Sequence, residues 1–186
     1  MAIQPTPRRF TAVEYHQMIE AGVFDQAERL ELIDGEIVKM SPIGDRHAAC
    51  VRRLIELLVQ LFAGQAIVDV QDPVLIAADY APQPDLALLR PRADYYASHT
   101  PTAVDCLLLI EVADTSAEYE RQIKMPRYAR AGVAELWLVD LERAVVVVYQ
   151  DPVGESYRRV QVFHRGETIP LGLARGATVL VQSILG

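Results

Sequence analysis

Two acidic residues stand at the borders of apolar runs in the middle of the chain. Asp85 follows Pro84 and precedes the apolar run 86–89, and Glu111 ends a second run over 106–110. A carboxylate at the end of a buried strand is costly to desolvate unless a cation, several hydrogen bonds or a metal ion compensates it. Two such acids on neighbouring strands predict a site for a hard divalent cation, and with it hydrolytic chemistry.

Each acid also has a simpler explanation. An aspartate that follows proline is common in turns, which would account for Asp85 by itself. Glu111 alternates with Leu107 and Leu109, so its side chain is expected on the same strand face as theirs. A glutamate there either belongs to a site or lies at a strand end and reaches water or an arginine, and the pattern leaves both open.

Two further candidates lie in the first third of the chain. Glu31 stands between two leucines of a predicted strand, and a glutamate that faces away from both is expected to be exposed to solvent. His47 lies one turn before Val51 on the apolar stripe of a predicted helix, so it points inward near the helix start. A hydrogen-bonded core histidine is the simplest interpretation of that position.

Lys124 is the remaining candidate. It follows Glu120 by four residues, and this order favours an ion pair on a helix surface. Tyr128 continues the same helix face by one more turn.

Composition bounds the class of protein. A chain of 186 residues with 51% hydrophobic and 23% charged residues predicts one domain over residues 1–186 with a full-sized core. No apolar stretch reaches the roughly 20 residues that span a bilayer, and residues 1–10 do not resemble a signal peptide. We therefore expect no membrane partner and a cytoplasmic location. In that compartment Cys50 and Cys106 are expected to be buried thiols, and they are too few for a sulfur-based metal site.

The net charge of −7 argues against non-specific nucleic-acid binding, which depends on neutralising phosphates. Arginines are nevertheless clustered at positions 52–53, 90–92 and 121–130, so a local basic face stays open. Arg90, Arg92, Arg121 and Arg127 are candidates for phosphate contacts.

Local signals predict the N-terminal elements. Thr11 and Glu14 form a capping box that opens a short helix, and Gly22 ends it. Asp34-Gly35 is a favoured type I′ turn pair, so residues 29–33 and 36–40 should form a β-hairpin. An amphipathic helix should then run from Asp45 to about residue 62.

The sequence after residue 62 predicts a series of strands with one helix between them. Apolar runs without alternation indicate strands that are covered on both faces. A helix is expected over residues 116–131, and Pro126 should produce a kink or a late helical start near Ile123. The predicted strands are 66–70, 74–77, 86–89, 105–112, 135–140, 144–149, 157–163 and 178–182.

Motifs of other chemistries are absent from the sequence: there is no phosphate loop, HExxH, GxSxG or paired cysteine–histidine set. The combination that is present resembles the PD-(D/E)XK nuclease superfamily and, more narrowly, the Uma-type restriction endonuclease family. The stretches that carry the resemblance are 31–36, Ser41-Pro42 with His47, Pro84-Asp85, 109–112, Lys124 with Tyr128, and 131–140. Together they cover about residues 11 to 140.

The resemblance implies an α/β restriction-endonuclease-like fold, a mixed central sheet flanked by helices with an N-terminal helix and β-hairpin. It implies a metal-dependent endonuclease acting on DNA. Asp85, Glu111 and the backbone carbonyl of Val112 would bind Mg²⁺, with Mn²⁺ as an alternative. Lys124 would orient the attacking water or stabilise charge on the phosphate, and Glu31 and His47 would assist.

The chain departs from the superfamily pattern in three places. In the superfamily pattern a lysine lies two residues after the glutamate, and that position is Ala113 here. As in the narrower family, the lysine is displaced to the following helix, as Lys124, from which its ammonium group could reach the same point in space. Asp114 replaces a serine, and Glu120 replaces an aspartate.

These departures leave open a catalytically silent binding or assembly module, or a hydrolase of another phosphoester. A homodimer through the Val145–Val148 strand and its neighbour, and a separate targeting partner protein, are further expectations.

Overall fold

The N-terminal helix and hairpin form as the local signals predict. In the computed structural model, which describes residues 6–25, 28–172 and 176–186, helix α1 (Ala12–Glu20) is capped by the reciprocal Thr11–Glu14 box. Strands β1 (Leu30–Ile33) and β2 (Glu36–Lys39) pair antiparallel. Asp34 and Gly35 both have positive φ, 51° and 76°, as a type I′ turn requires. A Cβ on Gly35 would lie 2.6 Å from that of Arg9, so this position requires glycine.

Helix α2 (Asp45–Leu61) leads into a six-stranded mixed sheet. The sheet is antiparallel except for one parallel pair, β5 with β6, which confirms the predicted mixed α/β architecture. In spatial order its strands are β3 (Ile67–Asp69), β4 (Leu86–Leu89), β5 (Cys106–Ala113), β6 (Glu135–Asp140), β7 (Val145–Val153) and β8 (Ser156–His164).

Both faces of the central strands are covered. On one face, Leu54 and Leu58 of α2 pack with Ile110 and Trp137 in one apolar cluster. On the other face, Tyr128 packs with a second cluster that includes Leu109 and Leu136 of the sheet. Every residue of β4 and β6 is buried, as expected for strands without polar alternation.

The predicted helix over 116–131 is divided into three parts. Helix α3 (Ala117–Tyr119) is followed by a π-helical turn (Glu120–Lys124), and helix α4 (Met125–Arg130) begins directly after it. Pro126 therefore lies in the first turn of α4, where its missing N–H is tolerated. The predicted interruption of the helix is confirmed, but its form is a widened helical turn and not a kink or a late start.

Three local predictions differ from the structure. Residues 74–77 make only isolated bridges, because the prolines at 73, 82 and 84 restrict ladder hydrogen bonding in this region. The strand predicted over 178–182 is shorter: β10 (Thr178–Leu180) pairs with β9 (Thr168–Pro170), and helix α5 (Val181–Leu185) begins at residue 181. The Val145–Val148 segment is not itself a sheet edge, because β7 lies between β6 and β8; its predicted neighbour β8 is the edge strand.

The two cysteines are free and buried. Cys50 belongs to the cluster on the α2 side of the sheet, and Cys106 belongs to the cluster on the opposite side. Burial raises the pKa of both thiols to about 12, so they are unreactive core residues. Within the described ranges, no helix combines the length and the apolar character that crossing a bilayer needs.

Candidate active site

Asp85 lies at the start of β4, directly across from Glu111 of β5. Leu86 pairs with Ile110 in the antiparallel ladder, so the next residues along the two strands are neighbours. Asp85 is 4% exposed and Glu111 is 2% exposed. The two acids predicted from the apolar runs are therefore brought together, and Asp85 is not a solvated turn residue.

The Asp85 carboxylate is held by three donors. The backbone N–H of Val112 donates to Oδ2 at 2.8 Å, His47 Nε2 lies 3.0 Å from the same oxygen, and Gln71 donates to Oδ1 at 3.1 Å. Burial acts to raise the pKa of Asp85, but the hydrogen bond and charge of His47, with the other two donors, outweigh it and lower the pKa. Asp85 is thus kept as a carboxylate, and His47 is the hydrogen-bonded inward histidine that its position predicts.

Glu111 faces the opposite cluster together with Leu109. A register shift between Leu88 and Leu89 places Leu107 against the other cluster, so the prediction that Leu107 shares this face is wrong. Glu111 Oε1 accepts hydrogen bonds from the Tyr128 hydroxyl at 2.6 Å and from Lys124 Nζ at 3.2 Å. Burial raises the pKa of Glu111 well above its usual value, and the Lys124 charge offsets this only in part.

Lys124 is the central cation of the site, although its side chain is only 2% exposed. Its Nζ lies 3.1 Å from Glu31 Oε1, 3.2 Å from Glu111 Oε1 and 3.6 Å from Glu120 Oε2. The pair with Glu120 predicted from helical spacing is present, but it is the longest of the three contacts and it is buried. Burial acts to lower the pKa of Lys124, and the three carboxylates raise it well above 10.5.

Glu31 is buried, contrary to the expectation of a solvent-facing residue. It is 1% exposed because both sides of β1 are covered: Leu30 and Leu32 pack with Tyr15 of α1, and Ile33 on the other side joins the cluster that contains Tyr128. Its Oε1 accepts the backbone N–H of Gln83 at 3.1 Å as well as Lys124. Its Oε2 is buried and has no hydrogen-bond partner within the described residues.

Glu120 is a site residue that the sequence patterns did not single out. Burial raises its pKa to about 7, against the opposing effect of Lys124. Its Oε2 is also buried without a hydrogen-bond partner in the described part of the chain. The spacing of four from Lys124 was the available signal, but the same spacing is typical of exposed helical pairs.

The charges of the site do not balance. Four buried carboxylates, those of Asp85, Glu111, Glu31 and Glu120, meet one lysine and one histidine. Buried like charges are tolerated when protons or a cation compensate them. Glu31 Oε2 has no hydrogen-bond partner among the described residues, and Glu120 Oε2 has only the 3.6 Å ion-pair contact with Lys124, so both oxygens are acceptors that such a cation would satisfy.

The donor set also limits what kind of cation would fit. Among the described residues no group of three or more His, Cys, Asp or Glu side chains is arranged to enclose a metal ion. Mg²⁺ keeps several waters and is commonly bound through one or two carboxylates. The adjacent Asp85 and Glu111, with Val112 beside them, fit that requirement and not an all-protein cage.

The site opens through a cleft of about 390 Å³. The predicted phosphate contacts do not line it: Arg121 pairs with Asp140, Arg127 with Asp34, and Arg92 with Asp94, while Arg90 donates to a backbone carbonyl. Two basic residues of the hairpin region, Arg29 and Lys39, line the cleft instead; Lys39 pairs with Glu28 there, and Arg29 donates to the Ser41 carbonyl. These two residues were not predicted from the sequence as phosphate contacts, because neither belongs to an arginine cluster.

Comparison with known proteins identifies the family and the fold of the chain. The family model described as "Uma2: Putative restriction endonuclease" matches residues 12–182. A crystal structure of "a putative nuclease belonging to DUF820" from Anabaena variabilis ATCC 29413 is similar with a TM-score of 0.75 at 16% sequence identity, over 95% of this chain and 97% of that one. No curated protein matches the sequence. The match of the family model over nearly the whole chain shows that this protein belongs to the Uma2 family of restriction-endonuclease-like proteins.

Proposed function

We propose that the protein is a metal-dependent endonuclease that hydrolyses phosphodiester bonds in DNA. The observation that carries the proposal is the placement of Asp85 and Glu111 side by side at the ends of β4 and β5, with the Lys124 ammonium 3.2 Å from Glu111. Membership of a family described as restriction endonucleases supports a nuclease over other phosphoester hydrolases.

In this proposal Asp85, Glu111 and the carbonyl of Val112 hold Mg²⁺ or Mn²⁺. The bound cation supplies a Lewis acid for the scissile phosphate and lowers the pKa of a water. His47 orients Asp85 through their 3.0 Å contact, and Tyr128 orients Glu111 through its hydroxyl. The carboxylates therefore meet the cation in a fixed geometry.

Lys124 acts in this proposal as a cation and not as a base. Its pKa is raised well above 10.5, so the amine keeps its proton at neutral pH. An ammonium group beside the phosphate stabilises the negative charge that develops in the transition state. Glu31 holds Lys124 in place, and the free oxygen of Glu31 is available to accept a hydrogen bond from the attacking water.

Arg29 and Lys39 would guide the DNA backbone into the cleft, because both line its wall. Each phosphate contact releases counterions, so binding through these two residues should weaken as the salt concentration rises. Target choice through a separate partner protein remains part of the proposal.

Cleavage of supercoiled plasmid in Mg²⁺ or Mn²⁺ tests this function. Glu111→Ala should reduce the cleavage rate by at least about 100-fold, because loss of even one outer-shell partner of a metal commonly costs 10- to 100-fold. Glu118→Ala is the matched control, since Glu118 is an exposed acid of α3 whose side chain is 69% accessible. Equal rates for wild type and Glu111→Ala would remove the proposed site.

A catalytically silent module is the second candidate. Two observations favour it: Ala113 occupies the usual lysine position, and no described group of three potential ligands encloses a cation. Calorimetry with Mg²⁺ and Mn²⁺ separates the two functions, because a silent module should bind neither ion at this site.

We further propose that two copies of the chain associate through β8. This edge strand of nine residues pairs only with β7 in the described part of the chain, and it exposes Val160 and Val162, each by 50%. A long exposed edge strand favours strand addition, and the two charged residues of β8, Arg158 and Arg159, both lie in its first half. An antiparallel pair of β8 strands centred on Val160 would place Arg158 opposite Val162 and Arg159 opposite Gln161, so like charges would not face each other.

Val160→Lys should convert this dimer to a monomer, because a charge at the strand centre opposes its own copy across the symmetry axis. Light scattering after size exclusion measures the mass. Val153→Lys is the control, since Val153 is similarly exposed at the far end of β7. A wild-type protein that is monomeric at micromolar concentration would contradict the proposed interface.

A further inference from the structure

Three side chains spaced four residues apart all reach the same site. Glu120 contacts Lys124 at 3.6 Å, Lys124 contacts Glu111 at 3.2 Å, and Tyr128 contacts Glu111 at 2.6 Å. In a regular α-helix, residues four apart are rotated by about 40° relative to each other, and residues eight apart by about 80°. A regular helix would therefore turn one end of this series away from Glu111.

The π-helical turn removes part of that rotation. The N–H of Met125 donates to the carbonyl of Glu120, five residues earlier, where an α-helix would use the residue four earlier. In a wider turn each residue rotates by less than about 100°, so Glu120 to Lys124 falls short of a full turn and offsets the excess rotation from Lys124 to Tyr128. Glu120 and Lys124 begin and end this turn, and both are buried.

Pro126 accounts for the position of the wide turn. Proline has no N–H to donate to the carbonyl of Gln122, and its ring would clash with that carbonyl in a continuous α-helix. The structure places Pro126 in the first turn of α4, which is the helix position where proline is best tolerated. The chain therefore begins a new α-helix at residue 125 and widens the turn before it.

We propose that Pro126 is a positioning residue: it keeps the turn at 120–124 wide so that Lys124 and Glu120 both reach the carboxylate cluster. The consequence for catalysis rests on the proposed nuclease function. The consequence for the position of Lys124 does not, so it is tested separately.

Lysine accessibility provides that separate test, because the chain has just two lysines, Lys39 and Lys124. Lys39 is 67% exposed in its side chain and Lys124 is 2% exposed. An amine-reactive label followed by peptide mass spectrometry should modify Lys39 and spare Lys124 in the wild type. In Pro126→Ala the turn can close to a regular α-helix, Lys124 rotates away from Glu31 and Glu111, and its labelling should rise at least tenfold while Lys39 labelling stays constant.

Two further variants separate positioning from loss of folding. Pro152→Ala, a proline substitution in β7, should leave Lys124 protected. A second variant combines Pro126→Ala with deletion of Gln122, which removes one residue from the wide turn. A regular α-helix through this segment can then keep α3 and α4 in their present positions. Protection of Lys124 should then return, which a variant that merely unfolds would not show.

Plasmid cleavage supplies the catalytic readout. If the wild type cleaves, Pro126→Ala should lose at least about 10-fold in rate, since misplacement by about 1 Å can cost 100-fold. If the wild type does not cleave, the nuclease proposal fails and the labelling result still decides the role of Pro126. A Pro126→Ala protein that keeps Lys124 as protected as in the wild type would overturn the inference.

Discussion

Lys124→Met should lower the free energy of unfolding by about 3–5 kcal/mol at pH 8, the usual cost of removing one partner from a buried ionic cluster. Methionine fills similar space, so the loss arises from charge. Glu31, Glu111 and Glu120 all lie within 3.6 Å of the Lys124 ammonium, and without it they repel one another in a site with little solvent.

The same substitution should lose most of its effect in acid. Burial raises the pKa of Glu111 well above its usual value and that of Glu120 to about 7, with Lys124 opposing both shifts. Removing Lys124 raises both values further, so the folded variant binds more protons than the unfolded chain. The contribution of these two acids to the stability of the variant is therefore largest below pH 4.5 and is lost as the pH rises through 7.

Urea unfolding at pH 5, 6.5 and 8 measures this dependence. Lys39→Met is a matched control, because Lys39 pairs with Glu28 at the surface and should contribute at most about 1 kcal/mol at any of these values. A loss of stability in Lys124→Met that stays constant from pH 5 to pH 8 would contradict the arrangement of three acids around this lysine.

Asp85→Asn should abolish divalent metal binding while the fold is retained. The amide oxygen can still accept the hydrogen bond from Val112, and the side chain has nearly the same volume. What is lost is the negative charge beside Glu111, and Mg²⁺ and Mn²⁺ depend strongly on carboxylate ligands. We expect the affinity for Mn²⁺ to fall by more than about 100-fold. Loss of a residue that only supports a metal ligand typically costs about 10- to 100-fold, and Asp85 is proposed to bind the metal directly.

Calorimetric titration with Mn²⁺ in the absence of DNA measures this effect directly. Asp151→Asn is the control, since Asp151 is an exposed acid that pairs with Arg159. Circular dichroism should show the same fold for all three proteins. If Asp85→Asn binds Mn²⁺ as tightly as the wild type, the cation site lies elsewhere and the roles assigned to Glu111 and Val112 fall with it.

Features set by neighbouring residues were predictable from the sequence. The Thr11–Glu14 box and the Asp34-Gly35 turn depend on contacts within a few residues, and both form as expected. The apolar runs that became β4, β5 and β6 were also recognisable, because strands buried on both faces need no polar alternation. The pairing of Asp85 with Glu111 followed from those runs and from the family resemblance.

Features that depend on distant packing were not predictable in the same way. The pattern around Glu31 indicated a half-exposed strand, but packing on both sides of β1 buries it. The arginines at 121 and 127 looked available for phosphate, yet each contacts an acid from another element. Such partners lie 19 and 93 residues away along the chain, so no local pattern contains them.

Local residue patterns were sufficient to predict which acids border buried strands, where the turns fall and where a helix is interrupted, because short-range sterics and hydrogen bonding set these features. The position of Lys124 among Glu31, Glu111 and Glu120, and with it the place of Glu120 in the site, depends on contacts between separate elements. Burial and charge compensation arise only when separate elements pack together, and it is this packing that turns a helical lysine into the central cation of the cleft.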